Sequence, residues 1–189
     1  MRYAKVQIDP QLYERLKQQI VEYRTERKVT CVCVEKDVDY LTLPALREYL
    51  DHLGIIEYVI NANYICVMPG EDVEPHVDEP DRFIWSLTIP FVNAAGTYNR
   101  FYKSDQPIVR HVRFDKRDKW AVQSCLQYAD MSFAKLIDMV EVDGPMLLNT
   151  AEMHDVHNTT NLPREALGVR LNKKFHPKLL HSLQLSTIL

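Results

Sequence analysis

The sequence lacks the features that mark several large classes of protein. It has no apolar run near the roughly 18 residues of a membrane helix, no internal repeat and no low-complexity tract. The opening residues MRYAKVQIDP contain no apolar signal-peptide core. Only four cysteines occur in 189 residues, and none of them forms a C-x-x-C pair. We therefore expect no membrane partner and no disulfide framework, and we expect a cytoplasmic protein with free thiols.

The charge balance does not favour a nucleic-acid partner, because the formal net charge is −3. The charges are nevertheless uneven: residues 71–81 hold six acids and no base, whereas residues 100–119 hold seven bases and three acids. The basic stretch is compatible with an acidic partner or with phosphate groups as ligands. The alternative interpretation is a hairpin face exposed to solvent.

The composition and the N-terminal part predict one folded domain that begins with helices. Hydrophobic residues make up 46% of the chain and charged residues 26%, which is typical of a globular domain. Residues 10–28 follow the N-cap pair Asp9-Pro10 and carry apolar residues at helical spacing. The β-branched run 29–34 predicts a strand. Residues 43–53 predict a second helix, which Gly54 ends.

Short strands dominate after residue 54. They are predicted within 55–68, at 83–91, 97–103, 107–114, 132–142, 145–149 and 153–158, and at 165–175. The strands 97–103 and 107–114 are expected to form a hairpin, and 116–129 a short helix. A last helix is expected at about 177–184. This order predicts an α+β fold in which a helical N-terminal support (1–54) packs on one face of an antiparallel double sheet (about 55–175), all within the single domain 1–189.

Two segments carry side chains that can bind a metal. In GEDVEPHVDEP, His76 and Asp78 are two residues apart, so an extended backbone points both the same way. The segment NTAEMHDVHNTTNLPREALGVRL adds His154 and His157. A second imidazole would complete a two-histidine, one-carboxylate set, which leaves open positions on the metal and is diagnostic of non-haem iron(II) oxygenases. His154 and His157 face opposite sides of a strand, so only one can be the ligand.

The strand after these histidines offers cations to the same site. Arg164 and Arg170 share one face with the small residues Ala166 and Gly168, which leaves room for a ligand. The other face is mostly apolar and suits packing against the helices. The planar fork of arginine fits a carboxylate held by two hydrogen bonds. Arg170 is also interpreted as the partner of an inward-facing acid.

Taken together, these segments resemble the iron(II)/2-oxoglutarate-dependent oxygenases, particularly the aspartyl/asparaginyl β-hydroxylase-like and prolyl-hydroxylase-like members, and phage-encoded oxygenases of similar size. The resemblance covers about residues 60–172. The segments that carry it are NYICVMPGED, PHVD, WSLTIPF, GPMLLNT, HDVHN and PRE. It implies a double-stranded β-helix, also called a jelly-roll or cupin-like fold.

The resemblance also implies roles for single residues. His76, Asp78 and His154 would bind Fe(II), and His157 is the alternative distal ligand. Arg164 would bind the far carboxylate of 2-oxoglutarate, with Arg170 as the alternative when His157 is the ligand. Tyr64 would add a hydroxyl to the same carboxylate. Asn158 would fix the turn after the distal ligand. Apart from the resemblance, Trp120 lies in a polar stretch and has two interpretations, a loop anchor or part of the substrate entrance.

The implied activity is hydroxylation of a C–H bond with consumption of 2-oxoglutarate and O2 and release of succinate and CO2. An Asp, Asn or Pro side chain in a protein or peptide fits the nearest members, while a nucleobase or a small metabolite stays open. Two other classes are kept: a non-catalytic cupin-like barrel that binds a metal or ligand, and a zinc-dependent hydrolase or isomerase. If the chain is viral, the expected location is the cytoplasm of the host cell.

Overall fold

The computed structural model describes residues 1–26, 36–38, 42–70, 75–78, 83–106, 108–114, 122–128 and 130–180. It contains two helices and eleven strands within these ranges. The helices are α1 (Pro10–Glu26) and α2 (Pro44–His52). The strands are β1 (Tyr3–Lys5), β2 (Lys36–Val38), β3 (Val59–Val67), β4 (Phe83–Val92), β5 (Thr97–Lys103), β6 (Ile108–Phe114), β7 (Val122–Tyr128), β8 (Lys135–Glu141), β9 (Met146–Asn149), β10 (His154–Asn158) and β11 (Arg164–Asn172). None of the described helices is long and apolar enough to cross a membrane.

The local signals for both helices act as predicted. The Asp9 carboxylate accepts a hydrogen bond from the Leu12 amide at 2.9 Å, which satisfies one of the free amides at the start of α1. Gly54 follows α2 with φ +66°, a backbone conformation that costs glycine little. The predicted strand 29–34 lies outside the described residues, as does Trp120. Residues 177–180 form a 3-10 turn at the start of the predicted last helix, and 181–189 are likewise outside the described residues.

Two sheets face each other. The larger sheet has the strand order β1-β9-β4-β11-β3-β2, and the smaller has the order β10-β5-β8. The pairings of β11 with β3 and β4 and of β10 with β5 are antiparallel. His76 adds to the smaller sheet through an isolated antiparallel bridge to His154. Strands distant in sequence therefore pair side by side.

Apolar side chains fill two layers, one on each face of the larger sheet. The helices cover its outer face, where Leu16 and Leu46 pack in one cluster with Leu87, Leu167 and Val169. A second cluster lies between the sheets and is formed by Phe101, Val140, Val142, Met146 and Leu148. The predicted apolar face of β11 is thus the helix-facing side, and its arginine face points into the space between the sheets.

Three expectations do not hold. β5 does not pair with β6; it lies between β10 and β8, while β6 pairs with β7. Val122–Tyr128 is a strand rather than part of a helix, because pairing with β6 overrides its weak local preference. Cys66 is disulfide-bonded, so the expectation of free thiols is wrong at this position. Spacing along the chain does not reveal a cysteine pair that only folding brings together.

A buried ion pair ties α1 to the sheet beside the arginine face. Arg24 near the end of α1 is paired with Glu165 of β11, and the Tyr64 hydroxyl donates to the other Glu165 oxygen at 2.7 Å. Glu165 is buried, whereas Arg24 is partly exposed. The pair therefore fixes the backbone next to Arg164.

We expect Glu165→Ala to lower the free energy of unfolding by about 2–3 kcal/mol, since it leaves the Arg24 cation and the Tyr64 hydroxyl without their buried acceptor. Urea unfolding followed by circular dichroism measures this. Glu48→Ala is the control, because its pair with Arg15 is more than half exposed on both sides and is worth about 1 kcal/mol or less. Equal losses in the two variants would contradict a special role for the buried pair.

Candidate metal centre

Three side chains with metal-binding atoms converge at one end of β10. The ligand atoms offered by His76, Asp78 and His154 all lie within 4.8 Å of one another. Two backbone hydrogen bonds bring the segments together: the His76 amide donates to the His154 carbonyl at 2.8 Å, and the His154 amide donates to the His76 carbonyl at 2.9 Å. The two imidazole centres are 4.7 Å apart. The structure thus gathers all three residues that the sequence marked.

The surroundings of His154 set the state of its ring. Burial lowers its pKa to about 4, and the neighbouring His76 adds to the effect. The ring is therefore neutral near pH 7. Its Nδ1 lies 2.9 Å from the Glu152 carbonyl oxygen. Because a carbonyl oxygen only accepts, Nδ1 carries the proton, and the lone pair of Nε2 is left for a metal.

Asp78 is held in its ionised form. Burial alone would raise its pKa, but the hydrogen bond from His76 and the positive charge of Arg170 outweigh burial and hold the pKa well below its usual range. His76 Nε2 lies 3.4 Å from Asp78 Oδ1, and Arg170 Nη2 lies 3.9 Å from the same oxygen. An ionised carboxylate beside two imidazoles is a donor set that suits a divalent first-row metal. The expectation that Arg170 faces an inward acid agrees with this contact.

The two candidate distal histidines are separated by the pleat of β10. His154 lies opposite Phe101 of β5 and is buried between the sheets, whereas His157 is three residues further along the strand and partly exposed. Side chains three apart on a strand point to opposite faces. The described metal-binding group contains His154 and does not contain His157.

Arg164 is a buried cation at the start of β11. Only 2% of the residue is exposed. Its Nε and Nη2 atoms have no hydrogen-bond partner in the described part of the chain. Burial lowers its pKa to about 10, so the side chain stays charged at neutral pH. Burying the donors of a charged group without hydrogen-bond partners is costly, and Nε and Nη2 fit a carboxylate ligand.

The end of β10 lies beside the start of β11. The Asn158 side chain donates to the Val67 carbonyl at 3.0 Å, and Val67 is the register partner of Arg164. Asn158 also donates to the Leu162 carbonyl at 2.8 Å and accepts from the Thr160 amide at 3.0 Å. It therefore fixes the turn between β10 and β11, as expected, and links the strand of His154 to that of Arg164.

Tyr64 lies on the other face of the larger sheet. It is the register partner of Leu167, belongs to the helix-facing core and donates its hydroxyl to Glu165. The structure does not bring Tyr64 to the face that carries Arg164. We correct the expectation for this residue: its neighbours Asn63 and Ile65, one position away on either side, are on the arginine face.

Several polar residues near the site went unnoticed in the sequence. Asn61 and Asn63 of β3 lie opposite Arg170 and Gly168 in register, on the inner face. Asn99 of β5 is also buried, and its Oδ1 has no hydrogen-bond partner within the described ranges. The sequence offered one signal for the two β3 residues. Asn61 and Asn63 alternate with Ala62 and Tyr64, so the polar side chains share one face of the strand and the apolar ones share the other.

A second buried ion pair lies behind His154. Asp155 is fully buried and accepts two-pronged hydrogen bonds from Arg100, with Nη2 at 2.6 Å from Oδ2 and Nε at 2.9 Å from Oδ1. The Tyr102 hydroxyl donates to the same carboxylate at 2.7 Å. These bonds lock β10 to β5 at the residue that follows His154.

Comparison with solved structures identifies the fold. SnoK, a non-heme alpha-ketoglutarate-dependent carbocyclase from nogalamycin biosynthesis, matches with a TM-score of 0.60 and 14% identity, over 90% of this chain and 78% of that chain. HygX from Streptomyces hygroscopicus, with nickel and 2-oxoglutarate bound, matches with 0.57 and 8%, over 92% and 82%. A Pseudomonas putida prolyl-4-hydroxylase matches with 0.52 and 13%, over 90% and 92%.

No family model matches the sequence, and no curated protein is significantly similar to it. At these low identities the structural likeness shows a shared fold. The predicted α+β double-stranded β-helix, with N-terminal helices on one sheet, is confirmed.

Proposed function

We propose that the protein is an Fe(II)/2-oxoglutarate-dependent dioxygenase that hydroxylates a C–H bond and releases succinate and CO2. The observation that carries this proposal is a combination: a two-histidine, one-carboxylate group and a buried arginine with orphaned donors, both between the sheets of one barrel. The metal group alone would also suit other chemistries. The arginine adds the need for an anionic ligand.

His76, Asp78 and His154 would hold the iron. When bound, the iron supplies activation of O2 coupled to oxidative decarboxylation of 2-oxoglutarate. The chain's own task at this point is to present two imidazoles and one carboxylate, with their orientation fixed beforehand. Glu152 fixes the ring of His154 through its carbonyl, and Arg170 restrains the carboxylate of Asp78.

Arg164 would bind the far carboxylate of 2-oxoglutarate through Nε and Nη2. A charge-assisted pair in a buried site is strong and directional, so the co-substrate would be oriented by this end. The structure of HygX, which shares the fold, holds nickel and 2-oxoglutarate. Burial of Arg164 and His154 keeps water away from both ends of the proposed site.

For the substrate, we propose an Asp, Asn or Pro side chain in a protein or peptide. The support is the match to a prolyl-4-hydroxylase over 92% of that chain. SnoK, which matches over 78% of its chain, is a carbocyclase from nogalamycin biosynthesis. Small molecules are therefore also tested as substrates. The metal and arginine sites serve either class of substrate.

The proposal is tested by titrating 2-oxoglutarate into anaerobic, Fe(II)-loaded protein and recording the visible charge-transfer absorption of the iron–oxoacid chelate. We expect a band in the wild type and none in Asp78→Ala. After air is admitted, succinate should form slowly without substrate and faster with the right one. Peptides containing Asp, Asn or Pro are compared with free amino acids and nucleotides in the same assay.

Three outcomes would contradict the proposal. Bound iron without a band would indicate a metal-binding barrel. Tight zinc binding with hydrolytic activity and no succinate would indicate a hydrolase. Failure to bind any divalent metal would mean that the three residues meet for another reason. Acceleration by nucleotides or free amino acids alone would overturn the substrate proposal and leave the oxygenase intact.

A further inference from the structure

The largest concentration of exposed apolar side chains lies in and just before β8. Five large hydrophobic residues between positions 131 and 139 are each 40–54% exposed. They are Met131, Phe133, Leu136, Ile137 and Met139, and we call them the β8 patch. The other exposed large hydrophobics of the described chain are single residues at positions 1, 162 and 179. A concentration of exposed apolar residues of this kind marks an interaction surface more often than single exposed residues do.

The patch lies at an edge of the smaller sheet, as far as the described part of the chain shows. β8 is the last strand of the smaller sheet, and β5 is its neighbour on one side within the described residues. The Val142 amide donates to the Thr97 carbonyl at 3.0 Å. In an antiparallel ladder such pairs alternate, so Val140 also directs its backbone groups toward β5, and Met139 and Glu141 direct theirs outward.

Two details describe this edge in a single copy, where pairing would exchange the first contact for a bond between strands. The Met139 amide donates at 2.9 Å to the side chain of its own neighbour, Asp138. Ile137 has no register partner on β5, because the pairing shifts between Phe101 and Tyr102. An apolar edge with outward backbone groups is a template for pairing with another strand.

The charges of β8 indicate which strand fits. The strand begins with Lys135 and ends with Glu141. In an antiparallel pair of two copies centred on Asp138, Lys135 of each copy lies opposite Glu141 of the other, and Ile137 lies opposite Met139. Opposite charges and apolar residues in facing positions both stabilise a sheet. The two Asp138 side chains would also meet, and Arg2, 3.5 Å from Asp138 in each copy, compensates their charge.

We infer that the protein forms a homodimer in which two β8 strands pair antiparallel about Asp138 and join the smaller sheets of both copies into one. The self-complementary ends of the strand favour a second copy over an unrelated peptide. The arrangement has two-fold symmetry, which is the commonest symmetry of protein dimers. The inference does not depend on the proposed function.

Sedimentation equilibrium of the full-length protein tests the dimer. We expect a dimer in the wild type and a dimer dissociation constant at least about 100-fold higher in Met139→Lys, since each dimer would then bury two unpaired charges. Leu179→Lys is the matched control: it changes an equally exposed apolar residue outside the patch and should leave the constant unchanged. Circular dichroism establishes that both variants are folded.

Charge reversal tests the register. Lys135→Glu should weaken the dimer, because two glutamates would then face each other at each end of the strand pair, and adding Glu141→Lys should restore it. A wild type that stays monomeric at a protein concentration of about 100 μM would overturn the proposal, because a dimer with a dissociation constant of about 1 μM would be mostly assembled at that concentration. So would a dimer that survives Met139→Lys. Weakening by Lys135→Glu without recovery in the folded double variant would overturn pairing about Asp138.

Discussion

Replacing His154 with alanine is expected to weaken iron(II) binding by more than about 100-fold and to abolish succinate release, whereas His157→Ala leaves both close to the wild type. Loss of a residue that only supports a metal ligand already costs about 10–100-fold in affinity, so loss of a ligand itself must cost more. Both histidines belong to β10 and are three residues apart. The two variants therefore differ in which face of β10 loses its imidazole.

The measurement is competition for iron(II) against a chelator under anaerobic conditions, followed by a succinate assay at saturating iron. His154→Ala removes a buried ring, so thermal unfolding of the metal-free protein accompanies it. Added metal should raise the melting temperature of the wild type and of His157→Ala, and it should not raise that of His154→Ala. Loss of iron(II) affinity in His157→Ala, with affinity retained in His154→Ala, would show that the metal site lies on the opposite face of β10 from the one proposed.

How far the sequence predicts this site depends on how local each signal is. His76 and Asp78 are two residues apart, so their shared direction follows from an extended backbone alone. The choice of His154 over His157 rested on a family pattern. Strand alternation places the two side chains on opposite faces, but it does not say which face points inward. In the structure, a backbone bridge pairs His76 with His154, and their rings lie 4.7 Å apart.

Tyr64 illustrates the opposite case. The predicted strand region 55–68 contains β3, but the strand is shorter and begins at Val59 after a 3-10 turn at Ile56–Tyr58. The role of Tyr64 was taken from the resemblance, whereas a single position along a strand decides on which face of the sheet a side chain lies. The hydroxyl thus meets Glu165 and the helices, and Asn63 takes the inner position.

The pairing of strands was the least predictable part of the fold. A turn at Ser104–Gln106 suggested a local hairpin, whereas β5 pairs with β8 and β10, which follow it by more than thirty and fifty positions in register. Such pairings depend on what each strand buries across the whole domain, for example Phe101 between the sheets. Local sequence carries little information on them.

The second large effect is expected at Arg164. Arg164→Met should weaken 2-oxoglutarate binding to the iron(II)-loaded protein by about 2–5 kcal/mol, the usual result of removing one partner of a buried charge pair. This corresponds to a rise in the dissociation constant of roughly 30-fold to several-thousand-fold. Iron(II) affinity without 2-oxoglutarate should stay unchanged, because Arg164 is not among the metal-binding residues. Anaerobic titration calorimetry measures both constants.

The same substitution is not expected to destabilise the ligand-free protein. In the wild type, folding buries a guanidinium whose Nε and Nη2 have no partner in the described chain. Methionine has a similar length and no charge, so Arg164→Met should leave the ligand-free melting temperature equal or higher. Tyr64→Phe is the control: it should lower stability by about 1 kcal/mol and leave 2-oxoglutarate affinity within about twofold, since its hydroxyl meets Glu165. If Arg164→Met destabilised the ligand-free protein strongly, the buried cation would serve the fold; a gain or no change, together with lost 2-oxoglutarate binding, means that Arg164 is kept for its ligand.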